Sequence, residues 1–365
     1  MKIAIVTPVF SIAGVPLAQH RFARALVKKG HEVELIVGFL PSNILPPQVP
    51  LLKINILDKS SVTKMFPSLI RIFKRENYDI IFSAEDHLNA IVLLAAKIVG
   101  AKAKISCSSR VTPLDTYSNK ILSKKWFLKQ LTKMTMSRAT VLSCVSKDMV
   151  LQYQEIFEKA PHVPIYNIID DEFSRIKMLE PVEHNWFGGE NHKLLIASGR
   201  LAAWKGFEDL IRAMPKILKQ RNAKLLILGD GPLKSHLLGI IQELDLSASV
   251  ELLGYVDNPL KYYKNADIFV LSSHVEGLPN VLVEAMMCGC TPVATNCPTG
   301  PREVLDDGKY GYLVPMHDLE ALAKGVINAI DSPIDSTMLE IAIQPFQEDQ
   351  ILQAHFNSLG INQSL

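Results

Sequence analysis

LLIASGRLAAWKGFEDLIRAMPKILKQRNAKLLILGDGP, residues 194–232, reads as strand, loop, helix and strand in succession. Leu194–Ala197 and Lys224–Leu228 are short apolar runs of the kind that strands buried on both faces require, and Phe207–Leu218 repeats its apolar residues at helical spacing. Strand, helix and strand in this order make a βαβ unit, which needs a parallel sheet covered by helices. The rhythm continues downstream through helix 233–244, strand 250–253, helix 258–264, strand 268–271, helix 279–288 and strand 292–294. Upstream it recurs as strand 3–6, helix 18–29, strand 33–37, strand 79–82 and helix 89–99, with Gly30 placed as a left-handed cap after Lys28 and Lys29. The pattern predicts an α/β protein of two doubly wound domains in tandem.

The rhythm breaks between Glu180 and His192, a polar stretch containing proline and glycine, so the expected division is residues 1–180, 181–335 and a tail 336–365. In the tail, 348–359 reads as an amphipathic helix able to pack back on a domain, the N-terminal one being our choice. A chain of 365 residues, 48% hydrophobic and 21% charged, can bury two ordinary cores. Its 19 glycines and 21 prolines show no repeat, which excludes collagen-like and wholly disordered classes. The longest apolar run, 90–103, is interrupted by Lys97 and Lys102 and is too short to span a bilayer. The N-terminus lacks the apolar segment and cleavage site of a signal peptide and reads as a buried strand. Five scattered cysteines form no CxxC pair and fit a reduced, cytoplasmic protein, with Cys288 and Cys290 read as packing residues.

Charge is unevenly spread. Residues 1–180 hold 25 Lys and Arg against 15 Asp and Glu, and the remainder 14 against 22. An anionic partner for the first half follows, a membrane surface or a phosphorylated substrate. In open parallel sheets, ligands sit at the carboxyl ends of the strands. After the first strand comes the loop 11–16, where Gly14 allows backbone amides to approach a phosphate; its single glycine is not GxGxxG, which disfavours nicotinamide, and a plain tight turn is equally compatible. In Ser198–Ile211, Arg200 leaves a strand end and Lys205 precedes a helix start, a pairing of cations suited to a diphosphate. In Ser272–Gly289, Glu276 lies before Pro279 and Glu284 lies within the following helix. A carboxylate in such an apolar helix needs a partner, and the two hydroxyls of a ribose would serve.

Four motifs now combine: S-G-R-x4-K-G at 198–206, G-D-G-P at 229–232, L-G-Y at 253–255 and E-G-x-P-N-x3-E-A-M-x2-G at 276–289. Together they resemble the retaining nucleotide-sugar glycosyltransferases of family 4. The C-P-T-G-P-R-E run at 297–303 is similar to the branch that builds bacterial surface polysaccharides, and Tyr166–Asp170 is similar to the family's Asn-Pro-x-Asp element. The resemblance implies the GT-B fold, two Rossmann-like domains facing a central cleft. It implies that Arg200 and Lys205 bind the donor diphosphate, Glu284 the ribose, and Glu276 the donor sugar, with the segment Gly277, Leu278, Pro279 and Asn280 beside it. Tyr255 and Val256 would pack on the base, UDP being the implied nucleotide with GDP open. Glu276, Arg200, Lys205 and His87 would carry the catalysis, His87 in the loop 85–89 contacting the donor sugar unless Asp86 takes that place. Asp86 and Arg110 would meet the acceptor, lipid-linked or saccharide. No metal and no cofactor are implied, in keeping with the lack of a D-x-D motif.

Between Asp115 and Asp148 stand seven basic residues and no acidic one, interleaved with Ile121, Leu122, Trp126, Phe127, Leu128 and Leu131. A basic amphipathic helix over 118–138 would lie on an anionic membrane, placing the protein at the cytoplasmic face, or would be a scaffold helix with a solvated basic face. Nucleic acid is not an expected partner, since no recognition motif accompanies the charge. Two other function classes compete with transfer: a nucleotide-sugar epimerase or hydrolase of the same fold, whose epimerases lack the E-G-L-P-N-x3-E pattern, and a non-catalytic nucleotide-sugar-binding protein.

Overall fold

The computed structural model describes residues 1–11, 14–42, 49–157, 162–188 and 191–362. The chain forms two compact units, residues 1–168 with 348–365, and residues 169–347. The first is built on seven strands, β1 (Lys2–Val9), β2 (Glu32–Phe39), β3 (Leu52–Ile56), β4 (Ile80–Ala84), β5 (Lys104–Ser109), β6 (Val141–Cys144) and β7 (His162–Pro164). All pair in parallel in the order β3-β2-β1-β4-β5-β6-β7. Helices α1 (Gly14–Lys28), α2 (Val62–Arg75), α3 (Asp86–Val99), α4 (Pro113–Thr116), α5 (Lys124–Thr135) and α6 (Lys147–Ile156) connect them. Ile3–Val6 in β1 are wholly buried, as a strand covered on both faces must be. Gly30 takes the left-handed conformation directly after α1, and Ser123 and Ser146 cap α5 and α6 through side-chain hydrogen bonds to Trp126 and Met149 amides.

The second unit opens with α7 (Glu172–Lys177) and holds β8 (Lys193–Ser198), β9 (Ala223–Leu228), β10 (Val250–Gly254), β11 (Ile268–Leu271), β12 (Thr291–Thr295) and β13 (Tyr312–Val314). Its parallel sheet runs β10-β9-β8-β11-β12-β13. Around it pack α8 (Phe207–Leu218), α9 (Lys234–Glu243), α10 (Leu260–Lys264), α11 (Asn280–Met287), α12 (Pro301–Val304), α13 (Leu319–Asp331) and α14 (Ser336–Ile343). In each sheet the strand order reverses once, between β1 and β4 and between β8 and β11. Loops leaving the two strands at such a reversal part to opposite faces and leave a crevice at the carboxyl ends.

The last helix, α15 (Glu348–Ser358), belongs to the first unit, where Leu352 and Phe356 are fully buried with Phe22, Leu26 and Phe82. Ion pairs Lys28–Glu348 and Lys29–Asp349 flank this contact at 3.5 and 2.8 Å. The units therefore divide at 168/169 and 347/348, where the sequence reading has 180/181 and 335/336. Residues 169–180 carry α7, which touches α10, and α14 packs on α11, so contacts rather than composition set the division. Phe356→Ala is expected to cost about 3–5 kcal/mol, since the cavity it leaves is walled by strand and helix and cannot collapse. A urea melt followed by near-UV dichroism measures it. All five cysteines are free and buried, and burial pushes the Cys288 thiol up to about 12, which leaves it a packing group.

Candidate functional site

The crevice of the second unit is made by the loops after β8 and β11. Gly206 lies between a short turn, Ala203–Lys205, and α8, with φ near +62°. A Cβ there would stand 2.0 Å from the Ser272 carbonyl oxygen, so only glycine lets the two loops close on each other. They are then joined by the Ser272 hydroxyl donating to the Lys205 carbonyl at 2.9 Å and the His274 amide donating to Trp204 at 2.8 Å. Lys205 Nζ meets Glu276 Oε1 at 2.6 Å, with both side chains largely buried at 17% and 10% exposure. Breaking such a pair strands a charge away from water, and Nζ keeps two further N–H donors for a ligand.

Glu276 is seated from behind. The Thr299 hydroxyl donates to the Glu276 carbonyl, and Gly300, in the left-handed region, packs where a Cβ would meet Pro279 and the Gly277 carbonyl. This gives the C-P-T-G-P run a structural reason that its sequence did not declare. Gly277 and Asn280 are half-buried, Leu278 and Pro279 buried, and α11 begins at Asn280. Glu284, in the second turn of α11, is 6% exposed beside Tyr263, whose hydroxyl pairs with Ser198 and whose ionisation is driven well up by burial and then by the Glu284 charge. Arg200 is exposed at the end of β8, and its guanidinium has no hydrogen-bond or ion-pair partner among the described residues. Tyr255 is exposed and Val256 half-buried in the loop after β10, whose Gly254 carbonyl accepts from the Gly229 amide at 2.7 Å.

In the first unit, Gly14 is exposed at the start of α1 with φ near +63°, while Ile12 and Ala13 of the same loop lie outside the described residues. Asp86 and His87 point opposite ways. Asp86 is buried and accepts from Tyr153 at 2.6 Å and Ser109 at 2.7 Å, so both of its oxygens are engaged within the protein; burial raises its pKa and those two hydrogen bonds oppose the rise. His87 is exposed on the first turn of α3.

Arg110 follows β5 with Nε and Nη1 out of solvent contact and without a hydrogen-bond partner among the described residues. Burial lowers its pKa to about 10, against the opposing charge of Glu85. It lines a chamber with Gln19, Phe22, Ser83, Ser108 and His355, in which Gln19 Oε1 and His355 Nδ1 are also unsatisfied. Buried donors without acceptors are costly, so this chamber calls for an anion or water. Glu85, not singled out from sequence, has φ near +77°, a strained value for a residue with a side chain, and a pKa raised by burial. Only its place at a strand end could have flagged it.

The model of the group 1 glycosyl transferases matches residues 184–344 and that of glycosyltransferase family 4 matches residues 12–173. The chain belongs to the family 4 glycosyltransferases. This glycosyltransferase is 26% identical over 361 residues to the N-acetyl-alpha-D-glucosaminyl L-malate synthase of Bacillus anthracis, spanning 95% of the chain and 93% of the relative. It is 31% identical over 241 residues, 64% of the chain and 62% of the relative, to the Campylobacter jejuni N-acetylgalactosamine-N,N'-diacetylbacillosaminyl-diphospho-undecaprenol 4-alpha-N-acetylgalactosaminyltransferase. Among solved structures it is similar to Anabaena HepE in complex with UDP and glucose, with a TM-score of 0.75 at 17% identity over 99% of both chains. The fold is GT-B, two Rossmann-like α/β domains with parallel sheets.

Proposed function

We propose that this glycosyltransferase moves a sugar, with retention at the anomeric carbon, from a UDP-linked donor to a lipid-linked or saccharide acceptor in cell-surface polysaccharide assembly. The observation that carries the reading is the buried Lys205–Glu276 pair at the strand reversal of the second unit. Lys205, with two N–H donors to spare, and the exposed Arg200 neutralise the diphosphate as it leaves, and the first amides of α11 add to that field. Two cations and a helix end supply this stabilisation without a metal. Glu284 holds the ribose hydroxyls, Tyr255 covers the base, Glu276 contacts the donor sugar, and the acceptor attacks from the face the diphosphate leaves. UDP is favoured because HepE was crystallised with it.

Arg110 receives an acidic group of the acceptor. The Campylobacter relative is named for a diphospho-undecaprenol acceptor and the Bacillus relative for malate, both anionic, which supports a guanidinium with unmet donors at that end of the first sheet. Delivery of a lipid-linked acceptor fits the surface around α5. Ile121, Leu122 and Phe127 are exposed beside Lys120, Lys124 and Lys125, and Val111 and Leu114 are exposed just upstream. No helix among the described residues is long and apolar enough to cross a membrane; the contact we propose is a peripheral one, at the cytoplasmic face. Reversing Lys124, Lys125 and Lys129 to Glu is expected to abolish sedimentation with anionic liposomes, about 1 kcal/mol being lost per basic residue; unchanged sedimentation refutes the membrane role.

A thermal-shift panel with UDP, GDP, ADP, CMP and NAD tests the donor, a selective rise with UDP being the expected result. NMR of the first-formed glycoside tests retention. An inverted anomer overturns the mechanism, and a rise with GDP alone overturns the nucleotide.

A further inference from the structure

Asp209, His274 and His317 come from three separated stretches of the second unit and meet at one point. Asp209 lies in the first turn of α8, His274 in the loop after β11, and His317 in the turn before α13. Asp209 Oδ2 is 2.8 Å from His274 Nε2 and 3.5 Å from His317 Nδ1, and one donor atom from each residue lies within 4.8 Å of the others. The two imidazole rings are 4.0 Å apart between centroids. Two imidazoles hydrogen-bonded to one carboxylate would account for the nitrogen–oxygen distances. The backbone is also arranged to hold the rings where they meet.

His317 has φ near +59°, a left-handed conformation that a residue with a side chain adopts at a cost. Gly206 leaves open the place of the His274 ring, since a Cβ there would stand 2.9 Å from His274 Nε2. A four-coordinate ion with bonds of about 2.0–2.1 Å spaces its donors about 3.3 Å apart, between the two distances observed. Asp209 and His274 are partly buried and His317 is mostly exposed, which leaves a fourth position open to water. Two imidazoles and a carboxylate favour zinc and its neighbours in the first transition row over magnesium or calcium, which take oxygen donors.

We propose that Asp209, His274 and His317 bind one divalent transition-metal ion of the zinc type, with water as the fourth ligand. The ion is not part of the sugar-transfer chemistry described above, and the inference does not rest on that reading. Its position does connect to it: His274 lies two residues before Glu276, and its amide holds the turn that carries Lys205.

The test uses the full chain freed of any affinity tag and stripped with EDTA, titrated with Co2+ by visible absorption and with Zn2+ by calorimetry. The expected result is one ion per chain and the intense absorption of four-coordinate cobalt. His317→Asn, which keeps a residue tolerant of the left-handed backbone, and Asp209→Asn should each weaken Zn2+ binding by about tenfold or more, with the thermal melt of the metal-free protein retained. Absence of stoichiometric binding to the wild type, or affinity unchanged in both variants, overturns the proposal.

Discussion

Lys205→Ala is expected to lower kcat/KM for sugar transfer by about a thousandfold and to erase the thermal shift produced by UDP. Removing one preorganised donor aimed at a developing negative charge costs about 10²–10³ in rate, and a full cation in a water-poor crevice lies at the upper end. A second loss adds to it. Glu276 is 10% exposed and bonded to Lys205 at 2.6 Å, so alanine leaves its carboxylate buried without its counter-charge. Breaking a buried pair from one side costs about 3–5 kcal/mol of stability, whereas removing both charges costs less. The double variant Lys205→Ala with Glu276→Gln should therefore melt above the single one while staying inactive. UDP-release kinetics and melting curves on the three proteins separate the two effects. Wild-type rates in Lys205→Ala would remove the diphosphate assignment, and a double variant no more stable than the single one would remove the pair's burial from the explanation.

The fold was largely legible because parallel strands covered on both faces must be unbroken apolar runs, as Ile3–Val6 and Leu194–Ala197 are. That Lys205 and Glu276 lie on one face of the sheet was legible for a related reason: both lie just past strand ends, where a doubly wound sheet brings loops to one crevice; that they pair with each other was not. What stayed hidden depended on contacts distant in sequence or on backbone phase. Asp86 and His87 are adjacent, and which one turns inward is set by the left-handed Glu85 that starts α3, a conformation that its residue type does not announce. Thr299 supports Glu276 across 23 residues. The tail helix was read as packing back on the N-terminal domain, but its partners Phe22 and Phe82 lie more than 250 residues earlier, so the contacts that bury Leu352 and Phe356 could not be named from sequence.

That attachment makes the first unit sensitive to acid through His355. The ring lies on α15 against Phe22 at 4.7 Å and Phe82 at 5.4 Å, facing Arg110 across the chamber. Burial, reinforced by the Arg110 charge, pushes its pKa down to about 3. An unfolded histidine titrates near 6.5, so between these values the unfolded chain binds a proton that the folded chain refuses. Stability therefore rises with pH across this window, and it falls as pH drops below about 6.5. At 1.36 kcal/mol per pH unit, the loss is about 2 kcal/mol at pH 5. His355→Gln removes the titrating group, so stability should fall less steeply between pH 7 and pH 5 than in the wild type, whatever the substitution costs at neutral pH. Urea melts of both proteins at pH 7, 6 and 5 give the slopes, and parallel slopes would show that His355 is not the group responsible.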